Sequence, residues 1–154
     1  APFDQTQAGS LTSKGVEAEG RATLPGDVQL IANYSYNEAE IDGTSRQLEN
    51  VPKHNASLWG TKRITLSNGA GLMFGGGVRH IGKSRSFGPA FPDGITTPSA
   101  TLFDALADVS WRRWSLAVNA VNLFDKRYYS ACLARGDCFQ GQARNVFGTV
   151  SYRF

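Results

Sequence analysis

The chain has 154 residues, with 17 Gly, 9 Phe, 5 Tyr and 3 Trp, 41% hydrophobic residues and a formal net charge of +3. No segment approaches the roughly 20 consecutive apolar residues of a membrane helix, which excludes a helical membrane span. The basic residues are scattered, and no Lys/Arg-rich run indicates a nucleic-acid partner.

Period-two alternation of apolar and polar residues predicts strands along most of the chain. The seven predicted strands cover residues 15–24, 28–36, 55–66, 71–81, 101–111, 114–124 and 144–154. Short turns near residues 26, 68 and 112 alternate with three polar connections that we predict to be long loops, at 38–50, 82–99 and 125–142. The expected result is a series of antiparallel hairpins, with short turns at one end of the sheet and long loops at the other.

The apolar faces of these strands are rich in Gly and Ala, and their aromatic residues are concentrated towards the strand ends. A soluble β-sandwich would place large branched residues there, whereas aromatic girdles around small residues are typical of a membrane barrel. The fold class predicted is therefore all-β, an antiparallel up-and-down transmembrane β-barrel segment of about seven strands. A soluble β-sandwich binding module is the alternative.

Seven strands leave two open edges, and unpaired backbone groups in hydrocarbon cost several kcal/mol each. Bacterial single-chain barrels have even strand counts. We therefore expect the chain to be a fragment of a larger barrel or part of a split one. Its last strand, which ends at Phe154, should pair with a first strand outside this chain.

Cys132 and Cys138 lie close together in the third polar connection. Their spacing does not match a CxxC redox motif, and no second pair completes a zinc site. A small disulfide loop in an oxidising compartment is favoured over two free thiols.

No catalytic site is predicted. No Ser, His and Asp set can be assembled, and His54 and His80 have no partner at metal-ligand spacing. Asp104 and Asp108 lie on one strand about 13 Å apart, beyond the separation of either two-carboxylate glycosidase mechanism. Residues 77–84 match the phosphate-loop pattern GxxxxGK[ST], but that chemistry requires a following helix, and Arg85 to Pro89 cannot begin one.

A resemblance to a known family rests on the last third of the chain. The segment Asn122-Leu123-Phe124-Asp125-Lys126-Arg127-Tyr128-Tyr129 resembles the NLFDKxY motif near the end of TonB-dependent outer-membrane receptors. The residues that follow resemble the end of the ferrichrome- and ferrioxamine-type siderophore receptors: Cys132, Cys138, Gly141, Arg144 and Tyr152-Arg153-Phe154. Residues 51–59 and 75–79 also resemble blocks of that group.

The resemblance implies that residues 1–154 are the C-terminal part of a 22-stranded barrel in the bacterial outer membrane, which the chain crosses several times. The plug domain and the segment that engages the TonB energy-transducing complex would lie upstream, outside this chain. The implied function is import of a ferric siderophore, of the hydroxamate type, and not catalysis. The iron(III) would arrive with its chelator, so no cofactor or metal bound by the protein itself is expected. A passive porin or an adhesion-type barrel is the alternative within membranes.

The resemblance also suggests site residues. Aromatic residues of the loops are candidates for ligand contact, although packing within the loops is at least as good an explanation: Phe87, Phe91, Tyr128, Tyr129 and Phe139. The family places an aromatic directly after the first loop cysteine, where this chain has Leu133. Loop cations could meet lipopolysaccharide phosphates or an acidic ligand, or could simply solvate the loops: Lys83, Arg85, Lys126, Arg127 and Arg135. Tyr152 and Phe154 resemble the terminal signal read by the outer-membrane assembly machinery.

Overall fold

The computed structural model describes residues 10–43 and 46–154. In these residues the chain forms twelve strands, numbered in chain order: β1 Leu11–Leu24, β2 Val28–Ile41, β3 Arg46–Gln47, β4 His54–Thr65, β5 Gly71–Ile81, β6 Ser84–Gly88, β7 Phe91–Thr97, β8 Ala100–Trp111, β9 Trp114–Val121, β10 Tyr129–Cys132, β11 Cys138–Gln140 and β12 Asn145–Tyr152. No helix in this part of the chain is long and apolar enough to cross a membrane.

Seven long strands form one antiparallel sheet, in which each lies beside the next long strand of the chain. Their order is β1-β2-β4-β5-β8-β9-β12, and the two-residue strand β3 joins them by pairing with β2. These are the seven strands that the alternation predicts, so the all-β, antiparallel, up-and-down class is confirmed. β1 and β12 lie at the two edges of the sheet.

The register of the sheet aligns the apolar faces of neighbouring strands. Leu58 lies opposite Val78, and Val78 lies opposite Phe103. We call this side the outer face; its exposed large apolar residues include Val16, Leu58, Phe74, Phe103, Val109, Leu116, Val118, Val146 and Val150. Soluble proteins rarely expose a contiguous apolar surface of this extent, but lipid requires one of a barrel exterior.

Buried apolar residues are few in the part of the chain that the structure describes, and most are small: Ala39, Ala70, Ala100, Leu102, Cys132 and Ala134. A sandwich would bury large branched residues of both sheets between its layers. Here most of those residues lie exposed on the outer face, and Leu102 is the one large branched residue in the buried set. The soluble-sandwich alternative is therefore wrong.

Aromatic side chains are concentrated at both ends of the outer face. At the end with the long connections, Phe103 and Phe124 pack edge to face with ring centres 5.4 Å apart. At the end with the short turns, the ring centres of Trp114 and Tyr152 are 4.7 Å apart, and those of Tyr152 and Phe154 are 5.2 Å apart. Two separated aromatic belts are the arrangement expected where a barrel meets the two membrane–water interfaces.

The opposite, inner face is polar. A groove of about 420 Å³ runs along it at the long-loop end, and its polar lining includes Glu17, Glu19, Asn33, Asn55, Ser57 and Arg79. Trp59 also lies on this face, directly over Gly77, where an added Cβ would stand 1.8 Å from the indole. Gly77 is therefore required by a close side-chain approach.

The structure corrects the predicted connections. The expected loop at 38–50 is shorter, because β2 continues to Ile41 and β3 follows. The expected loop at 82–99 is mostly the hairpin β6–β7, and the one at 125–142 contains the hairpin β10–β11. The predicted strand 114–124 ends at Val121, because Asn122 adopts a left-handed φ of 52° that breaks the extended backbone.

Candidate functional site

The Asn122 side chain fastens the turn that ends β9. It is 1% exposed. Its Nδ2 donates to the carbonyls of Lys126 and Gln142, and its Oδ1 accepts from the Lys126 N–H, each at 2.9 Å. An amide can donate twice and accept once, and Asn tolerates the left-handed backbone better than most residues. Both requirements at this position select asparagine.

Two aspartates hold the same turn from either side. Asp104 Oδ1 accepts from the Asn122 N–H at 2.8 Å. Asp104 also pairs with Arg79, whose Nε lies 2.7 Å from Oδ2. Farther along, Asp125 Oδ1 accepts from the Arg144 N–H at 2.8 Å. The barrel wall and the start of the third long connection are therefore joined by carboxylates.

The third connection carries the hairpin β10–β11, which a disulfide closes. Cys132 and Cys138 are cross-strand partners with their Cα atoms 4.1 Å apart, so the disulfide that the sequence favoured is present. The Leu133 N–H donates to the Asp137 carbonyl at 2.8 Å within the tip. This hairpin is held to a defined shape by a covalent bond.

Ser86 connects three of the long connections. It is 1% exposed, donates to Glu49 Oε2 at 2.7 Å and accepts from the Ala134 N–H at 3.1 Å. A second link runs from the Cys132 N–H to Thr97 Oγ1 at 2.7 Å. Segment 46–53, hairpin β6–β7 and hairpin β10–β11 thus form one connected layer, which we call the loop layer.

A cleft of about 410 Å³ opens at the side of the loop layer. Two cations, two phenol rings, two polar side chains and a proline line it: Lys126, Arg127, Tyr128, Tyr129, Ser99, Gln140 and Pro98. Tyr128 lies flat against Gly141, where an added Cβ would stand 2.1 Å from the ring. Tyr129 is 47% exposed. One tyrosine is therefore packed in place and the other is available to a ligand.

Phe87 lies in a different part of the loop layer. The guanidinium carbons of Arg46 and Arg85 stand 5.2 Å and 5.5 Å from its ring centre. A cation within about 6 Å of a ring centre is attracted to the aromatic face. The structure therefore separates Phe87 from the cleft that holds Tyr128 and Tyr129.

The other three predicted ligand residues are dispersed. Phe91 begins β7 and is 38% exposed, and Phe139 lies in β11 and is 49% exposed. Leu133 lies half-buried at the tip of the disulfide hairpin. The structure brings only Tyr128 and Tyr129 into one cleft, and none of these assignments is yet tested against a ligand.

The loop cations divide into engaged and free groups. Arg135 pairs with Asp137, and the Arg85 guanidinium donates to the Asp93 carbonyl at 2.8 Å. Lys126 and Arg127 line the cleft with their side chains exposed and no carboxylate partner in the described chain. Lys83 is likewise exposed and forms no ion pair in the described chain, so Lys126 and Arg127 are the unpaired cations that adjoin the two tyrosines.

The turn after β2 contains a carboxylate held by hydroxyls. Hydrogen bonds from the Ser10 hydroxyl and then the Thr12 hydroxyl lower the pKa of Asp42 below its ordinary value. The Asp42 N–H also donates to the Ser10 carbonyl at 2.9 Å. These contacts fasten the far ends of β1 and β2.

Residues 10–43 and 46–154 contain no group of three or more His, Cys, Asp or Glu side chains placed to hold a metal ion. The phosphate-loop match at 77–84 falls on the end of β5 and the start of β6. No helix N-terminus follows it to present backbone amides to a phosphate.

Comparison with known proteins identifies the family. The family model described as TonB dependent receptor-like, beta-barrel matches residues 1–123. The ferrichrome outer membrane transporter/phage receptor of Escherichia coli is 33% identical over 99% of this chain and 21% of its own length. The chain belongs to the TonB-dependent receptor family.

Other relatives agree. The ferrioxamine receptor of Yersinia enterocolitica is 32% identical over 96% of this chain and 21% of its own length. The ferripyoverdine receptor of Pseudomonas aeruginosa, solved with ferripyoverdine, superposes with a TM-score of 0.74 and 25% identity over 92% of this chain and 19% of its own. This receptor chain thus spans about a fifth of the length of the curated relatives it matches. Its relatives are outer-membrane transport receptors and not enzymes.

The family motif now has a physical explanation in this receptor. In the motif, Asn122 and Asp125 both adopt left-handed φ angles, and both use their side chains to cap backbone groups. The Leu123 N–H donates to the Phe103 carbonyl at 2.7 Å, and the Phe124 ring packs against the Phe103 ring. The motif is a corner that redirects the chain from the membrane wall into the loop layer.

Sequence reasoning missed two residues that organise the site. Ser86 carried no signal, because a serine in a polar stretch looks like any loop residue. Asn122 was quoted only as part of the motif, although its combination with Asp125 does indicate a capped corner. In the sequence, Asp104 stands out only as a carboxylate too far from Asp108 for a two-carboxylate mechanism, and its role as the partner of the Asn122 N–H depends on a contact 18 residues apart.

Proposed function

We propose that this chain is the C-terminal part of a 22-stranded TonB-dependent receptor that imports a ferric siderophore of the hydroxamate type. The observation that carries the proposal is similarity along almost the whole chain, including the loop layer, to receptors named for ferrichrome and ferrioxamine. Both of those ligands are hydroxamate chelates. The plug domain and the TonB-contacting segment would be supplied by sequence upstream.

The loop layer supports capture of a ligand outside the cell. Barrels of this class have short periplasmic turns and longer extracellular loops, so the loop layer would face outward. Its links through Ser86 and through Thr97 hold the segments at fixed positions. A preorganised surface binds a bulky chelate without the entropic cost of ordering free loops.

Within that layer, the cleft beside Tyr129 is the proposed point of contact. An exposed phenol ring offers apolar area and a hydrogen bond at low cost in conformational entropy. Lys126 and Arg127 would favour an anionic or carbonyl-rich group beside it. The leucine at position 133, where the family has an aromatic, leaves the ligand contact to these residues.

Growth under iron limitation tests the import proposal. A strain that lacks its own hydroxamate receptors should grow on ferrichrome or ferrioxamine only when the full-length gene and TonB are both present. Equal growth with and without the gene on every siderophore would contradict import. Growth that needs the gene but not TonB would favour a passive porin instead.

A matched pair of variants tests the ligand contact. Tyr129→Ala removes the exposed ring of the cleft, whereas Phe139→Ala removes a ring of similar exposure on the paired strand β11. We expect Tyr129→Ala to weaken binding of the ferric siderophore about tenfold, in line with loss of one well-placed aromatic. Phe139 is itself a predicted ligand residue outside this cleft, so each variant is compared with the unmodified receptor. Binding by Tyr129→Ala equal to that of the unmodified receptor would remove Tyr129 from the proposed site.

A receptor for another metal chelate is the second candidate. The metal-pseudopaline receptor of Pseudomonas aeruginosa is 30% identical over 99% of this chain. Uptake of labelled divalent metals other than iron with that chelator, in the same strain, distinguishes the two functions. Import of those metals without import of iron would favour this candidate.

A further inference from the structure

The turn between β8 and β9 carries two adjacent arginines. Arg112 and Arg113 form the turn, and Arg153 follows β12, which pairs with β9. The Arg153 N–H donates to the Arg113 carbonyl at 2.8 Å, so the end of β12 is fastened to the turn. Arg153 alternates with Tyr152 and Phe154 along the strand, so it lies on the inner side, away from lipid. Arg112 and Arg113 are exposed, and no carboxylate in residues 10–43 and 46–154 forms an ion pair with either of them.

An aromatic ledge adjoins these arginines on the outer face. Trp111 and Trp114 are cross-strand partners, and the row continues through Tyr152 to Phe154. The two indoles are 47% and 55% exposed. The Arg112 guanidinium carbon stands 4.6 Å from the centre of the Trp111 ring, which holds this cation at the edge of the ledge.

The two arginines differ from the other basic residues of this edge in what adjoins them. The other two short turns, Pro25-Gly26-Asp27 and Ser67-Asn68-Gly69, contain no cation. Basic residues do occur beside one of them, since the Arg63 N–H donates to the Asp27 carbonyl at 3.2 Å and Lys62 lies opposite Val28. What the β8–β9 turn adds is its aromatic neighbours: Arg112 stands against the Trp111 ring, and Trp114 lies across the strand pair.

These two features together match the chemistry of one ligand. Guanidinium groups bind phosphate oxygens in a bidentate manner, and an aromatic ledge in the interfacial zone accepts glycerol and acyl-chain carbons. A zwitterionic lipid brings its own ammonium, which competes with the arginines for its phosphate. We propose that the β8–β9 turn is a binding site for an anionic glycerophospholipid of the periplasmic leaflet, with the phosphate on the arginines and the acyl chains on Trp111 and Trp114.

The site depends only on the placement of the chain in the outer membrane and not on the siderophore that is carried. The test uses the full-length receptor in phosphatidylcholine vesicles that contain a minor fraction of brominated phosphatidylglycerol. Bromine quenches the fluorescence of nearby indoles. The quenching that belongs to Trp111 and Trp114 is the quenching in the unmodified receptor minus that in a Trp111→Phe/Trp114→Phe receptor. The dependence of that signal on lipid composition gives the affinity of the site for phosphatidylglycerol relative to phosphatidylcholine.

The arginines are tested by removing both of their charges. In Arg112→Asn/Arg113→Gln, the asparagine suits the left-handed φ of 54° at the first position. Each surface cation contributes about fivefold to attraction of anionic lipid, so we expect the preference to fall about 25-fold. The control Arg21→Gln/Arg135→Gln removes the same charge from ion-paired arginines elsewhere and should leave the preference unchanged.

Three results would overturn the proposal. One is a wild-type receptor without preference for phosphatidylglycerol. Another is an equal loss in the control, which would indicate only the net charge of the receptor. A third is quenching that soluble glycerol phosphate abolishes, because a phosphate site without a lipid would then suffice. Arg112→Lys/Arg113→Lys keeps both charges and should retain most of the preference, which guards against misfolding of the neutral variant. Siderophore uptake is measured separately, so failure of either proposal is distinguishable.

Discussion

Replacement of Asn122 by alanine is the most informative single change in the loop layer. The substitution removes three hydrogen bonds of 2.9 Å from a side chain that is 1% exposed. Each contributes about 1 kcal/mol net. Alanine at a left-handed φ of 52° costs about 1 kcal/mol more. We therefore expect the free energy of unfolding of the receptor to fall by about 4 kcal/mol.

The measurement is urea unfolding of the full-length receptor, followed by intrinsic fluorescence and by heat-modifiable gel mobility. Asn122→Gly separates the two contributions, because glycine adopts the left-handed backbone freely, and it should lose about 3 kcal/mol. Asn119→Ala is the matched control, since Asn119 lies three residues earlier in β9 and makes no side-chain hydrogen bond in the described structure. If Asn122→Ala destabilised the receptor no more than this control, the capped corner would not be a stabilising element.

Three further predictions concern the outer end of the molecule. Ser86→Ala should speed amide hydrogen exchange at Ala134, measured by mass spectrometry, while exchange in the sheet stays unchanged. Replacing both Cys132 and Cys138 by serine should cost the β10–β11 hairpin about 2 kcal/mol, from the entropy of closing a short loop, and limited proteolysis should then cut between them. Because the pKa of Asp42 is lowered by folding, its stabilising effect is complete above its ordinary pKa and is lost as pH falls through the lowered value; exchange in the adjoining strand ends should rise there.

Each of these predictions has a defined contradiction. Ser84→Ala is the control for the serine, because Ser84 is 6% exposed yet makes no side-chain hydrogen bond in the described structure. Equal exchange in both variants would remove Ser86 as the link between segments. Resistance of the serine variant to protease would mean that hydrogen bonds alone hold the hairpin. Asp42→Asn should abolish the acid dependence of exchange, and its persistence would assign that dependence to another group.

The sheet was predictable and the loop layer was not, for one physical reason. In the sheet, lipid selects apolar side chains on one face, so alternation is visible in the sequence. In the hairpin β6–β7, the buried alternate positions are Ser84 and Ser86, and the buried end of β7 is Thr97. Their neighbours are backbone groups that need hydrogen-bond partners. A strand whose inner face is polar has no hydrophobic period to detect.

The ends of predicted strands failed for a related reason. β2 runs on to Ile41 with Glu38 and Glu40 on the face that is apolar lower down, because its pairing with β1 continues to Leu11. The alternation of apolar and polar residues in β9 continues in the sequence to Phe124, yet the strand ends at Val121 because Asn122 turns the backbone. The alternation of apolar residues depends on which solvent, lipid or water, surrounds each face of a strand. The length of the strand depends on its hydrogen-bonded partners.

The contacts of Asp104 connect the sheet to the loop layer. Its carboxylate lies on the inner face of β8, holds Arg79 of β5 across one strand pair, and accepts the Asn122 N–H at the corner that leads to the hairpin β10–β11. The hairpin in turn donates to Ser86, which donates to Glu49. Wall and loop layer are therefore one continuous hydrogen-bonded structure. Changes at exposed positions such as Tyr129 can alter what the layer binds without loosening it, whereas changes at Asn122 or Ser86 alter how firmly every loop is held.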